Sequence, residues 1–371
     1  MFDGLAITHE LWKFLHSHFV HAGLPLRAPA PSQVILFVTS QCNLRCPICR
    51  VSRRATSRNV LQVADYEAVL RDLAKLGVRY VSLTGGEPLM RTDLFDILKR
   101  VKDLGLTCHL NTNGALLHER EIGLIAALGV DGVTVGLDGP TAAVHDRVRG
   151  RQGVFAEALR AVTGLVAIRN KHGMPKQVGI GTTVLRWNLD QVPDIVDLGK
   201  RLGVDKVRVQ PIDLASVPDC RLRDDVWMRE EDYPLVDRVF SDLLRIRRQT
   251  GLITSSEGYL RISKEYFKGR LYRDIPCYAG YSTLVLDEEG NVFPCFAVGS
   301  VGNVRRDSVA DIWFSDRFRA VRRDIAAGRC AKCWVSCHAE VSLLHHPRYA
   351  LSTGLAMMRR KIFRRRNPDR V

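Results

Sequence analysis

Residues 42 to 49 are Cys42-Asn43-Leu44-Arg45-Cys46-Pro47-Ile48-Cys49, and they follow the apolar run Val34 to Val38. A short apolar and β-branched run is typical of a buried strand, which places the three cysteines on the loop that leaves it. Thiolates at this spacing can ligate three irons of a cubane 4Fe-4S cluster, so that the fourth iron has no protein ligand. The alternative is a structural zinc, which is normally closed by four ligands, and no further Cys or His follows at a suitable distance.

Strand and helix patterns alternate from residue 34 to about residue 211. The predicted strands are Val34 to Val38, Tyr80 to Leu83, Thr107 to Leu110, Val133 to Leu137, Val178 to Val184 and Lys206 to Val209. Helical patterns lie between them near residues 65–76, 92–104, 118–128, 153–170 and 190–202. Six such units predict an α/β fold, a partial (β/α)6 TIM-like barrel whose ligands bind above the C-terminal ends of the strands.

Polar segments follow the predicted strands where ligands are expected. The second strand is followed by Thr84-Gly85-Gly86-Glu87-Pro88, the third by Asn111-Thr112-Asn113-Gly114, and the fourth by a segment that contains Asp138 and Arg149. Two glycines let the backbone approach a ligand closely, and the glutamate can accept hydrogen bonds from an ammonium group. Each segment alone could be an ordinary turn, but their order and positions favour one shared ligand site.

The cysteine spacing and the Gly-Gly-Glu segment together resemble the radical S-adenosylmethionine (SAM) superfamily. The resemblance implies that SAM chelates the open iron through its amino and carboxylate groups, and that residues of all three polar segments bind SAM: Gly85, Gly86, Glu87, Asn113, Asp138 and Arg149. Glu87 is expected at the amino group, and Asn113 and Asp138 near the ribose. Arg149 is expected at the carboxylate, with Arg147 as the alternative. Relatives commonly have a serine where this chain has Gly136, so a hydroxyl contact to SAM is missing here.

The last third of the chain carries a second group of cysteines: Cys277, Cys295, Cys330, Cys333 and Cys337. The segment between the first two predicts a hairpin with a turn at Gly290, which would bring these cysteines together. The pattern resembles the SPASM/twitch domain of radical SAM enzymes, which holds auxiliary 4Fe-4S clusters. It implies one auxiliary cluster on Cys277, Cys295, Cys330 and Cys333, with Cys337 able to replace one of them. By spacing alone, a structural zinc stays open as the alternative.

The family resemblance also implies a reaction. An electron from an external donor such as flavodoxin or ferredoxin cleaves SAM to methionine and a 5'-deoxyadenosyl radical, which takes a hydrogen atom from the substrate. We expect the auxiliary cluster to support net oxidation or rearrangement of a small metabolite; modification of a peptide or protein side chain is the alternative. No catalytic residue is assigned beyond the SAM cluster, because Phe296 stands where sulfatase-maturing relatives have a proton-accepting carboxylate.

A third interpretation is a non-catalytic metal-binding regulator that uses a basic C-terminal tail on nucleic acid. The segment Gly85-Gly86-Glu87 argues against it, since a regulator has no need of a SAM site. We therefore expect an enzyme with no nucleic acid partner.

The chain of 371 residues is expected to divide into four regions. These are an N-terminal helix and linker (1–33), a radical SAM core (34–230), a bridging helix with the SPASM/twitch domain (231–340) and a basic tail (341–371). No run approaches the ~18 apolar residues of a membrane span and no signal peptide is visible, which predicts a cytoplasmic protein. The cysteines are then ligands rather than disulfides, with Cys108 and Cys220 as inert buried thiols.

Almost half of the net charge of +15 lies in the tail, which has eight basic residues and one acidic residue from Val341 onward. From Leu351, apolar residues recur at helical spacing beside Arg359, Arg360 and Lys361. Such a helix would be apolar on one side and basic on the other, which predicts peripheral contact with an anionic inner membrane surface. The alternative is that the apolar side covers the protein itself.

Overall fold

The computed structural model describes residues 16, 17, 19, 20, 27–53, 57, 59–270, 275–330, 333–345 and 349. Its strands are β1 (Gln33–Thr39), β2 (Tyr80–Gly85), β3 (Thr107–Thr112), β4 (Gly132–Gly136), β5 (Gln177–Val184), β6 (Lys206–Pro211), β7 (Thr283–Leu286), β8 (Asn291–Phe293) and β9 (Gly302–Asn303). The six strands predicted for the first domain are confirmed to within two residues at either end.

Helices connect the strands and extend the chain beyond them. The α-helices are α1 (Val63–Lys75), α2 (Leu94–Asp103), α3 (Glu119–Ala127), α4 (Ala142–Arg149), α5 (Val154–His172), α6 (Val192–Arg201), α7 (Cys220–Val226), α8 (Tyr233–Thr250), α9 (Glu257–Phe267), α10 (Val309–Phe314), α11 (Asp316–Ala326) and α12 (Ser336–His345). The bridging helix α8 ends where predicted, at Gly251, which caps it with a φ of +67°.

All described strands belong to one sheet in the order β6-β5-β4-β3-β2-β1-β7-β8-β9. Strands β1 to β6 are parallel to their neighbours, as expected for consecutive β/α units. The order is linear, so the barrel is partial and does not close. This confirms the predicted fold class and brings the C-terminal ends of six strands to one rim.

The two faces of the sheet differ in polarity because successive side chains point to opposite sides. On β1, Val34, Leu36 and Val38 are fully buried against the outer helices. The inner face carries more polar residues at the paired positions, such as Thr84 beside Phe37. The outer face therefore supplies the core, and the inner face is left for ligands.

The predicted hairpin is confirmed: β7 and β8 are antiparallel, with Gly290 in the turn at a φ of +89°. Strand β7 also pairs in parallel with β1, where Val34 lies opposite Leu284. All four residues of β7 are buried, so the strand fits between two neighbours rather than at an edge. The second cysteine group is thus attached directly to the sheet of the first domain.

Three features differ from the sequence-based expectations or lie outside the described residues. Cys108 is buried as predicted, but Cys220 is exposed, because it begins the short polar helix α7. Six observed helices were not predicted: α4, α7, α9, α10, α11 and α12. The tail helix expected from Leu351 onward lies outside the described residues, as does most of the expected N-terminal helix. Within the described part of the chain, no helix has the length and apolar character needed to cross a membrane.

Candidate functional site

The end of β2 packs against the start of the cysteine loop. The Gly86 amide donates to Thr39 O at 2.7 Å, and the Glu87 amide donates to Gln41 O at 2.7 Å. A Cβ atom at Gly85 would overlap the Thr39 carbonyl oxygen, and one at Gly86 would overlap that of Gln41. The two glycines therefore bring the Glu87 segment against the loop that carries the first three thiols.

Cys42, Cys46 and Cys49 lie together on this loop. Burial raises the pKa of the Cys46 thiol to about 11; Arg149 lowers it, and the charges of Cys49, Asp138 and Cys42 raise it by smaller amounts. Burial also raises the pKa of Cys42. Thiols with raised pKa values keep their protons until a metal replaces them, so this group suits ligation of a cluster better than nucleophilic catalysis.

Glu87 is fully buried beside the thiols. Its Oε1 accepts from Thr112 Oγ1 at 2.7 Å and from the Leu89 amide at 3.2 Å, and its Oε2 accepts from the Asn113 amide at 2.7 Å. Desolvation nevertheless raises its pKa, because these three donors do not replace the water that a carboxylate loses. A carboxylate has about four acceptor positions, so one remains for a further donor.

Asn113 connects the end of β3 to the cysteine loop. Its Nδ2 donates to Asn43 Oδ1 at 2.8 Å and lies 3.9 Å from Cys42 Sγ. Its Oδ1 accepts from the Ala115 amide at 2.9 Å. The side chain is therefore placed next to the first cysteine of the loop.

Asp138 and Arg149 form a buried ion pair at the same rim. Arg149 Nη2 lies 2.8 Å from Asp138 Oδ2, and Asp138 Oδ1 accepts from the Thr183 amide at 2.8 Å. The guanidinium also hydrogen bonds to Cys46, whereas its buried Nε has no partner among the described residues. The alternative arginine, Arg147, is exposed and lies over the ring of Trp187, so the structure brings Arg149 to the thiols.

The second cysteine group lines a cavity of about 300 Å³. Its wall includes Cys277, Cys295, Cys330 and Cys333; Cys337, although described, is not part of it. Burial raises the pKa of Cys277 to about 11 and that of Cys295 to about 12. The cysteines at the two ends of the hairpin thus meet at one cavity, as the hairpin predicted.

The cysteine side chains that line this cavity match the ligands of a 4Fe-4S cluster. Four thiols are the complete ligand set of a cubane 4Fe-4S cluster. A single zinc ion would draw its sulfur ligands to ~2.3 Å from one point, which needs far less space than this cavity provides. Within the described part of the chain, no three His, Cys, Asp or Glu side chains are arranged around a single metal ion.

Two aromatic residues, Phe37 of strand β1 and Phe296 beside Cys295, make a contact that was not predicted from the sequence. The rings of Phe37 and Phe296 meet edge to face with centroids 5.1 Å apart, and the Phe296 and His338 centroids are 6.0 Å apart. Phe296 is 44% exposed although it is large and apolar. The position after Cys295 was the available signal for Phe296; for Phe37 and His338 the sequence carried none.

A partial (β/α)6 barrel with three thiols and a Gly-Gly-Glu segment at its rim defines an enzyme that binds SAM at an iron-sulfur cluster. The Radical SAM superfamily matches residues 36–199, and the iron-sulfur cluster-binding SPASM domain matches residues 277–334. The chain therefore belongs to the radical SAM superfamily and carries a C-terminal SPASM domain. Its cofactors are SAM and two 4Fe-4S clusters, one that binds SAM and one auxiliary.

Curated relatives and solved structures are similar over most of the chain. An AdoMet-dependent heme synthase from Methanosarcina barkeri is 29% identical over 319 residues, which cover 82% of this chain and 88% of the relative. A PqqA peptide cyclase from a Methylobacterium species is 27% identical and covers 79% of this chain and 76% of its own. The crystal structure of Streptococcus suis SuiB bound to S-adenosylmethionine matches with a TM-score of 0.65 at 18% identity, over 86% of this chain and 71% of SuiB.

Proposed function

We propose that this enzyme cleaves SAM reductively at the cluster held by Cys42, Cys46 and Cys49, and that it oxidises or rearranges a small metabolite. One observation supports the SAM site: the Glu87 carboxylate and the Arg149 guanidinium both lie close enough to Cys42 to change the pKa of its thiol. Glu87 raises this pKa and Arg149 lowers it. SAM presents an ammonium and a carboxylate to the open iron, so one buried group of each sign beside the thiols matches it.

The residues that would hold SAM have separate tasks. Glu87 accepts a hydrogen bond from the ammonium group at its remaining acceptor position, and Arg149 donates from Nε to the carboxylate. Asp138 accepts from the Thr183 amide and pairs with Arg149, so we assign it the task of holding the guanidinium in place. Gly85 and Gly86 set the position of Glu87 by close packing on residues 39–41. Asn113 orients the cysteine loop beside the ribose.

SAM bound at the first cluster supplies, on reduction by a donor such as flavodoxin or ferredoxin, the 5'-deoxyadenosyl radical that removes a hydrogen atom from the substrate. The chain must orient the substrate between the two cysteine sites and exclude water from it. Phe37 and Phe296 supply an apolar surface there. We assign the auxiliary cluster to Cys277, Cys295, Cys330 and Cys333, where it can take up an electron from the substrate.

Modification of a peptide is the second candidate, and the similarity to a PqqA peptide cyclase favours it. An experiment with an extract from cells grown in D2O distinguishes a small-metabolite substrate from a peptide substrate. It does so because hydrogen abstraction transfers deuterium from the substrate to 5'-deoxyadenosine. The extract is divided by ultrafiltration into polypeptides and small metabolites, and the deuterated cellular SAM is removed from the small fraction by cation exchange. Each fraction is then added to the reconstituted enzyme with unlabelled SAM and dithionite. Deuterium from the small fraction supports a metabolite. Deuterium from the polypeptide fraction alone would contradict it and support the second candidate.

We also propose that the basic tail from residue 350 onward binds anionic membranes peripherally. The support is its sequence pattern, in which basic residues accompany an apolar stripe. The full chain should sediment with anionic but not neutral vesicles at low salt, and deletion of residues 350–371 should abolish this. A full chain that stays in the supernatant with anionic vesicles would show that the tail is a solvated end.

A further inference from the structure

His338 lies in the wall of the cavity formed by the second cysteine group. It belongs to helix α12, its side chain is 3% exposed, and it lines the same space as Cys277, Cys295, Cys330 and Cys333. Its Nε2 atom is buried and has no hydrogen-bond partner among the described residues. No step proposed above uses this residue.

The position of His338 is fixed from several sides. Its amide donates to Val335 O at 3.2 Å, and its carbonyl oxygen accepts from Ser342 Oγ at 2.8 Å. Phe296 contacts the ring, with centroids 6.0 Å apart, and Phe296 in turn contacts Phe37 of strand β1. His338 is therefore connected, through the ring of Phe296, to strand β1 of the barrel.

A buried polar atom without a partner is costly, since it loses its hydrogen bonds to water and gains none. An imidazole ring keeps at least one N–H, so Nε2 can donate a hydrogen bond to an acceptor in the cavity. Much of the cavity wall near it is apolar, with Ile325 and Ala339 among its residues. The sulfurs of a bound cluster and of its thiolate ligands can accept hydrogen bonds, and such bonds are known to set cluster potentials.

We propose that His338 Nε2 donates a hydrogen bond to a sulfur of the auxiliary cluster or of one ligating cysteine, and thereby raises the reduction potential of that cluster. The reduced cluster carries one more negative charge, so a donor stabilises it more than the oxidised form. A higher potential makes the auxiliary cluster a better electron acceptor. His338 would thus adjust the reduction potential of the cluster without being one of its ligands. This inference rests on the ligand set proposed above.

The test is a redox titration of the reconstituted full chain, followed by electron paramagnetic resonance. A variant with Cys42, Cys46 and Cys49 replaced by Ala supplies the reference signal of the auxiliary cluster alone. His338→Phe keeps a planar ring but removes the donor. At a fixed applied potential, it should lower the ratio of reduced to oxidised auxiliary cluster about tenfold, which is about 59 mV for one electron. His338→Gln, which retains an N–H, should recover most of the wild-type ratio.

Ile325→Val is the matched control, because it changes the same cavity wall by one methyl group and removes no donor. It should leave the potential unchanged. An unchanged potential in His338→Phe with full iron content would overturn the proposal. Loss of the auxiliary cluster from both His338 variants would also overturn it, since His338 would then be an iron ligand. Failure of the wild-type chain to bind the auxiliary cluster would instead reject the ligand set.

Discussion

The guanidinium of Arg149 occupies the space that a side chain at Gly136 would need. A Cβ atom at position 136 would overlap Arg149 Nη2, the atom that lies 2.8 Å from Asp138 Oδ2. Arg149 can therefore take its buried position only because residue 136 has no side chain. The glycine at position 136 leaves room for the arginine.

Gly136→Ser should weaken SAM binding because it displaces the guanidinium from Asp138 and from the thiols. We expect an affinity about tenfold lower, or about 1.4 kcal/mol, in equilibrium titrations of the reconstituted enzyme. Gly123→Ser is the matched control, since nothing lies within 4 Å of a Cβ there. Equal affinities for SAM in the wild type and Gly136→Ser would show that Arg149 does not depend on this space.

Glu87→Gln should also weaken SAM binding, by roughly 1.5 to 3 kcal/mol, the scale of a hydrogen bond to a charged group. The amide has one acceptor oxygen, whereas the buried carboxylate already accepts three hydrogen bonds. Thr112→Val, which removes only one of these donors, should have a smaller effect. Iron content should stay the same in both variants, and a titration showing wild-type SAM affinity for Glu87→Gln would reject its role.

The first domain could be predicted closely because its strands are apolar and its motifs follow the strands directly. Each predicted strand lies within the observed one or differs by a single residue at an end, and the segments of Glu87 and Asn113 both contact the cysteine loop. Contacts between distant segments could not be predicted. The pairing of β7 with β1 and the overlap at Gly136 depend on how two parts of the chain approach each other, which no local pattern contains.

The spacing of the five C-terminal cysteines also did not decide which four of them ligate the auxiliary cluster, so Cys337 remained a possible ligand. The cavity is lined by the other four cysteines, so Cys337→Ala should retain about eight irons per chain after anaerobic reconstitution. Cys277→Ala should lose the auxiliary cluster. If Cys337→Ala loses iron as Cys277→Ala does, the assignment of the ligands is wrong.

Binding of the auxiliary cluster should strengthen as the pH rises. Burial raises the pKa of Cys277 to about 11 and that of Cys295 to about 12, so the free thiols are protonated at neutral pH while the ligands must be thiolates. Each proton released on binding gives up to about a tenfold gain in affinity per pH unit below these pKa values. Competition with an iron chelator at neutral and mildly alkaline pH measures the gain; equal resistance at both values would contradict it.

The activity we propose requires two separate clusters, of which the first cleaves SAM. The decisive measurement is iron content together with 5'-deoxyadenosine formation, in the wild type and in the variant with Cys42, Cys46 and Cys49 replaced by Ala. The wild type should hold about eight irons and form 5'-deoxyadenosine with SAM and dithionite. The variant should hold about four irons and form none. Retention of all eight irons, or continued formation of 5'-deoxyadenosine by the variant, would contradict the assignment of the first site.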